Sequence, residues 1–152
     1  MHKFRKLIMA IGMLSLLSVM PLAAQVADSV FYKVIFTAPF SFYAGNVKLP
    51  AGSYMITQPN QNASTVLIRN IAGTNGEFVN FRLTSSLNGQ KKSYVTFHKY
   101  GDTGYLRTLS LEGATDGIEF SRTKAEAKAE TMAESTNENG SIVELAMLVN
   151  GK

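Results

Sequence analysis

Between Ser29 and about Phe120 the chain repeats one pattern: a short run dense in Val, Ile, Thr, Phe and Tyr, then turn residues, at intervals of 8–12 positions. That spacing is the signature of an all-β sandwich or barrel. The first run, Ser29–Ala38, sets Val30, Tyr32, Val34 and Phe36 on one face. Pro39 ends or bends it, because proline has no N–H to give a ladder. Phe40–Tyr43 continues in extended form, and Ala44-Gly45-Asn46 turns into Val47-Lys48-Leu49. Leu49-Pro50-Ala51-Gly52 fits a type I turn. Further strands are expected at Ser53–Gln58, Thr65–Ile71, Glu77–Thr84, Ser93–Tyr100, Tyr105–Leu111 and Ile118–Arg122. Asn75-Gly76 is a strong hairpin signal. Along Glu77–Thr84 the alternation puts Val79, Phe81 and Leu83 inside.

The composition changes at Thr123. Residues 123–134 are rich in Ala, Lys and Glu, the strongest helix formers. Like charges at i,i+4 (Lys124/Lys128 and Glu126/Glu130) weaken that helix, so it is expected to be short and exposed. A polar linker over Ser135–Ser141 leads to an apolar run, Ile142–Val149, expected to dock as a last strand on a sheet edge. The predicted fold is therefore all-β, a small antiparallel barrel or sandwich of about eight or nine strands with one short C-terminal helix.

The first 24 residues concern address. His2-Lys3-Phe4-Arg5-Lys6 is basic, Leu7–Leu22 carries no charge, and Ala23-Ala24 supplies small residues before the chain turns polar. This is the pattern of a secretory signal peptide, with cleavage expected after Ala24. The apolar run is too short for a membrane span of about 20 residues. The remaining β-strands are also short for an outer-membrane barrel, so no integral membrane protein is expected after cleavage. The domain plan is a signal peptide over 1–24, a β-domain over 25–122, the helix over 123–134, and the linker and last strand over 135–152.

Cleavage leaves 128 residues with 12 basic and 11 acidic side chains. A net charge near +1 gives no basis for binding nucleic acid. The chain has no cysteine, which excludes thiol catalysis, thiolate metal sites and disulfides. A domain of this kind must be held by its core alone.

The chemistry-bearing residues are few. His98 is the one histidine past the leader, too little for a multi-histidine metal site or an evident triad. It shares a strand face with Tyr94, Thr96 and Tyr100. Asp102, between Gly101 and Gly104, suits a hairpin turn. A hydrolase would need His98 and Asp102 to converge on a hydroxyl, and it is the last of three readings. The aromatic clusters are more informative. A calycin-like carrier of a small apolar ligand would line an internal cavity with Phe36, Phe42, Phe97, Tyr100 or Tyr105. The leading expectation is a non-enzymatic structural or protein-interaction module, with the aromatics around Gly101–Gly104 as a contact surface. Neither catalytic residues, nor a metal, nor a cofactor is expected.

Three blocks carry a resemblance. Ala38-Pro39-Phe40-Ser41-Phe42-Tyr43-Ala44-Gly45-Asn46, Leu49-Pro50-Ala51-Gly52-Ser53-Tyr54, and Phe97-His98-Lys99-Tyr100-Gly101-Asp102 with Tyr105-Leu106 resemble a group of small secreted proteins found mainly in Acidobacteria. Ser121-Arg122-Thr123-Lys124-Ala125-Glu126 and Ile142–Leu148 resemble that group's closing helix and strand. The chain lacks the group's usual Trp after the hairpin and the Leu-Pro before the helix. The resemblance implies a bacterial source, export to the periplasm or cell exterior, and a β fold. It implies no activity.

Overall fold

The computed structural model describes residues 33–60, 62–73, 76–85 and 89–149. The leader, the Ala24 cleavage site and the start of the strand predicted from Ser29 lie outside the described residues. In chain order the elements are β1 (Lys33–Ala38), β2 (Ser41–Ala44), β3 (Val47–Leu49), β4 (Gly52–Thr57), β5 (Thr65–Asn70), β6 (Gly76–Ser85), β7 (Tyr94–Tyr100), β8 (Thr103–Ser110), β9 (Asp116–Phe120), α1 (Lys124–Ser135), β10 (Ser141–Ala146) and β11 (Leu148–Val149).

The fold is all-β and sandwich-like, and its ladder does not close into a barrel. One layer is β11-β1-β4-β5 and the first half of β6; the other is the second half of β6, then β9, β8, β7 and β10. The ten-residue β6 joins them: Gly76–Asn80 pair with β5 and Phe81–Ser85 with β9. Among the described residues eleven strands stand where eight or nine were expected, because the short β2, β3 and β11 form ladders of their own. One pairing departs from the antiparallel expectation. β2 lies parallel to β8, with Tyr43 opposite Tyr105.

The docked last strand is found, but split. β10 pairs with β7 in one layer, β11 pairs with β1 in the other, and Met147 lies buried between them. Its N–H donates to the Ser93 carbonyl at 3.2 Å. Two elements consecutive in the chain thus occupy opposite ends of the strand order.

Alternation sends Val34, Phe36 and Ala38 inward from β1, Tyr54 and Ile56 from β4, Val66 and Ile68 from β5, and Val95 and Phe97 from β7. Leu83 departs from this scheme. It is 65 % exposed, because beyond Phe81 the strand has left the first layer and Arg82–Ser85 are all exposed. The centre of the core is aromatic. Phe97 meets Phe36, Phe40 and Phe42 at ring-centre distances of 5.8, 5.5 and 5.2 Å, and Tyr54 meets Phe36 and Phe42 at 5.9 and 5.0 Å. Most of these contacts are tilted or edge-on, the arrangement the aromatic quadrupole favours.

Two hairpin turns need glycine. Gly45 and Gly101 have φ of +61° and +57° at the first central position of two-residue loops, as a II′ turn requires. A bulge in β8 matters for the site. Phe97 faces Leu106 and Thr96 faces Thr108, so Arg107 is an extra residue. Leu106 and Leu109, three apart, are both buried, and only a bulge lets both face the core.

The helix predicted over 123–134 is observed over Lys124–Ser135. Thr123 is its N-cap, accepting the Glu126 N–H on its hydroxyl at 3.1 Å.

Phe97→Ala would remove the ring that joins both layers. The expected loss is about 3–5 kcal/mol of unfolding free energy, read from urea denaturation with the slope unchanged.

Candidate functional site

The outer face of the β7–β8–β9 layer holds the chain's densest group of ionisable side chains. Register places Ile142, His98, Tyr105 and Tyr43 in one row across β10, β7, β8 and β2. A second row runs Arg82, Glu119, Thr108 and Thr96. α1 packs over this face, against β7. The helix is too short and polar to be stable alone. Its buried residues are Glu126 and Ala133.

Glu126 occupies the third helical position, where a capping-box glutamate would fold back onto its own N-cap. Here its carboxylate turns inward, and the residue is 1 % exposed. Oε2 accepts a hydrogen bond from an Arg107 terminal nitrogen at 3.1 Å. Oε1 lies 3.1 Å from His98 Nδ1, yet among the described residues no donor is aligned with it. Arg107 also reaches Glu119 at 3.5 Å, and Arg82 grips Glu119 through two bonds of 3.1 and 2.8 Å. The result is a linked chain, His98–Glu126–Arg107–Glu119–Arg82, in which two carboxylates and two guanidinium groups alternate. The bulge supplies its middle link by turning Arg107 to the outer face.

Three perturbations follow. The hydrogen bond from Arg82 holds the Glu119 carboxyl below its ordinary range, helped by the charges of Arg82 and Arg107 and opposed by burial. Burial first, and the negative charge of Glu126 next, pushes the Tyr100 phenol up. Burial also raises Tyr105, whose ring stacks on Tyr43 at 5.2 Å with planes 2° apart.

The carboxylate that reaches His98 is therefore Glu126, from a helix 28 positions on, and not Asp102. Asp102 is exposed in the β7–β8 turn. Of the five aromatic candidates, Phe36, Phe42 and Phe97 pack on one another between the layers, filling the space a carrier's ligand would take. Tyr100 and Tyr105 lie on the opposite, outer face beneath α1. The aromatics at the Gly101 hairpin are thus partly or wholly covered, with Tyr105 only 6 % exposed. Among the described residues no group of three or more His, Asp or Glu side chains could hold a metal ion.

A group of apolar side chains also stands on the outer face of the other layer. Leu148, Ile35 and Met55 stand side by side across β11, β1 and β4. Leu67 and Phe78 pair across β5 and β6. Phe78 and Leu148 are 62 % and 71 % exposed, and Ile35, Met55 and Leu67 are half-buried. Lys33, Thr37, Ser53, Thr57, Arg69 and Asn80 surround them on the same face. The helix packs on the opposite layer, against β7, and only its first turn comes near this face, where Thr123 and Lys124 line a cleft with Phe78 and Asn80.

The chain matches no protein-family model, no curated protein and no solved structure.

Glu126→Ala would leave Arg107 buried with half its partners. The expected cost is about 3–5 kcal/mol in chemical denaturation, with loss of helical ellipticity at 222 nm. Because the Glu119 carboxyl is held low in the folded state, its contribution is full above about pH 4.5 and is lost as pH falls through the folded value. Thermal midpoints measured from pH 6 down to pH 2 should fall over that window, and Arg82→Ala should flatten the fall.

Proposed function

We propose that this protein is an exported bacterial β-domain, periplasmic or extracellular, that works by contact with another protein and not by catalysis. The leader-like first 24 residues and the likeness to small secreted proteins support export. The observation that carries the contact reading is the outer face of β11, β1, β4, β5 and β6. A large apolar group such as Phe78, left 62 % exposed within a polar surround, is costly in water unless something covers it. Two exposed and three half-buried apolar side chains on one sheet face form a flat surface suited to a protein and too open to enclose a small molecule.

The charge chain beneath α1 fits a structural task in this reading. It anchors the helix to one layer and leaves the other layer's face free. His98 is a member of that chain through Glu126.

Site-specific photo-crosslinking in the producing cell tests the proposal. A benzophenone side chain at position 78 should yield a discrete heavier adduct on irradiation, whereas the same group at the exposed Lys128 of α1 should not. Phe78→Asp, combined with the benzophenone at position 35, should abolish the adduct. Equal labelling at 78 and 128, or none at either, would sink the reading.

A further inference from the structure

The open end of the sandwich holds a cavity of about 400 Å³ that none of the aromatic candidates lines. It lies between β3 and the inner faces of β4, β5 and the start of β6. Val47, Leu49 and Pro50 form one wall, with Tyr54 and Ile68 opposite. Tyr54 and Ile68 are 1 % exposed overall, so what they offer the cavity is the edge of the core itself. The Tyr54 hydroxyl donates to the Pro50 carbonyl at 2.7 Å, which fixes the wall and leaves the aromatic ring as the apolar surface. A volume of several hundred cubic ångströms with mostly apolar lining and a few polar groups is the usual form of a small-molecule site.

The polar groups are asymmetric. The Asn70 side chain already accepts the Ala72 N–H at 2.8 Å. Glu77 is the one carboxylate in the lining, which holds no Lys, Arg or His. It is half-buried, on the β6 face that carries Val79 inward, opposite Ile68 in the ladder. Among the described residues no cation stands within ion-pair distance of it. Glu77 also borders a second cleft that Arg122 and Lys124 line, but neither stands within ion-pair distance of it, and Arg122 is engaged with Glu130. A carboxylate half removed from water beside an apolar cavity favours a ligand that brings a positive charge.

We infer that this cavity binds a small, largely apolar amine, its hydrocarbon or aromatic body against Val47, Leu49, Tyr54 and Ile68 and its ammonium group at Glu77. The site is independent of the protein-facing surface on the outside of the same layer. It also differs from the internal cavity a calycin-like carrier would need, since Phe36, Phe42 and Phe97 occupy that space.

The test uses monodansylcadaverine, an apolar fluorophore with a primary amine, against dansylamide, which lacks the amine. Both are titrated into the mature protein. Monodansylcadaverine should brighten and shift to the blue, saturating at one per chain, and dansylamide should bind at least tenfold more weakly. Glu77→Gln should weaken monodansylcadaverine about tenfold and leave dansylamide unchanged. Val47→Trp, at a rim residue 37 % exposed, should fill the mouth and abolish binding of both. Amide shift mapping on the unaltered protein gives a readout free of any folding defect, with perturbations expected at Val47, Leu49, Ile68 and Glu77. Non-saturable binding, shifts centred elsewhere, or equal affinity for the two dyes would overturn the inference.

Discussion

Contact between the two inner faces carries this fold. The chain has no cysteine, so no disulfide can supplement the packing. The inter-layer space is filled by Phe36, Phe42, Tyr54 and Phe97, each no more than 2 % exposed. Aromatic rings suit the task. Each buries a large area at the expense of few rotatable bonds, and edge-on contacts lock neighbouring rings against one another. The β2–β3 hairpin adds Phe42 to this cluster, which gives a physical reason for its unusual parallel seat beside β8.

The second organising interaction is the buried ion pair of Arg107 and Glu126. Buried pairs seldom add much net stability, since desolvation offsets attraction, but they are unforgiving about partners and position. That property fits a polar twelve-residue helix that has little apolar area with which to find its seat. Glu126 and Ala133 seat the helix at its two ends. The bulge in β8 is the condition for this arrangement. It keeps Leu106 and Leu109 in the core and delivers the arginine between them to the opposite face.

Much of the architecture was legible in local sequence. Strand positions followed from β-branched and aromatic runs, the places of two turns from Gly45 and Gly101, and the helix from its Ala, Lys and Glu content. What escaped depends on partners distant in the chain. Nothing local to Glu126 distinguishes it from the helix's other glutamates except its spacing from Thr123, and that spacing suggests a cap, not an inward turn. Likewise, Leu106 and Leu109 stand three apart, which contradicts a period of two and hints at the bulge, yet does not say that an arginine will bond a helix. Leu83 looked internal because alternation cannot reveal that β6 changes layers at Phe81. The apolar outer patch of Ile35, Met55, Leu67, Phe78 and Leu148 was hidden for a related reason: each is a single residue in its own strand, and only the register brings them to one face.

The split last strand has a consequence for how the molecule comes into being. The segment from Ser141 to Val149 supplies a terminal strand to both layers, so β1 waits for a neighbour that is made more than a hundred residues later. A chain emerging N-terminus first, from a ribosome or through a membrane pore, can assemble β4, β5 and β6 as it arrives. It cannot finish either layer until Ser141–Val149 has emerged: a chain stalled before that segment keeps both sheet margins unpaired and open to chaperones or proteases, and one stretch of nine residues closes both at a single stroke.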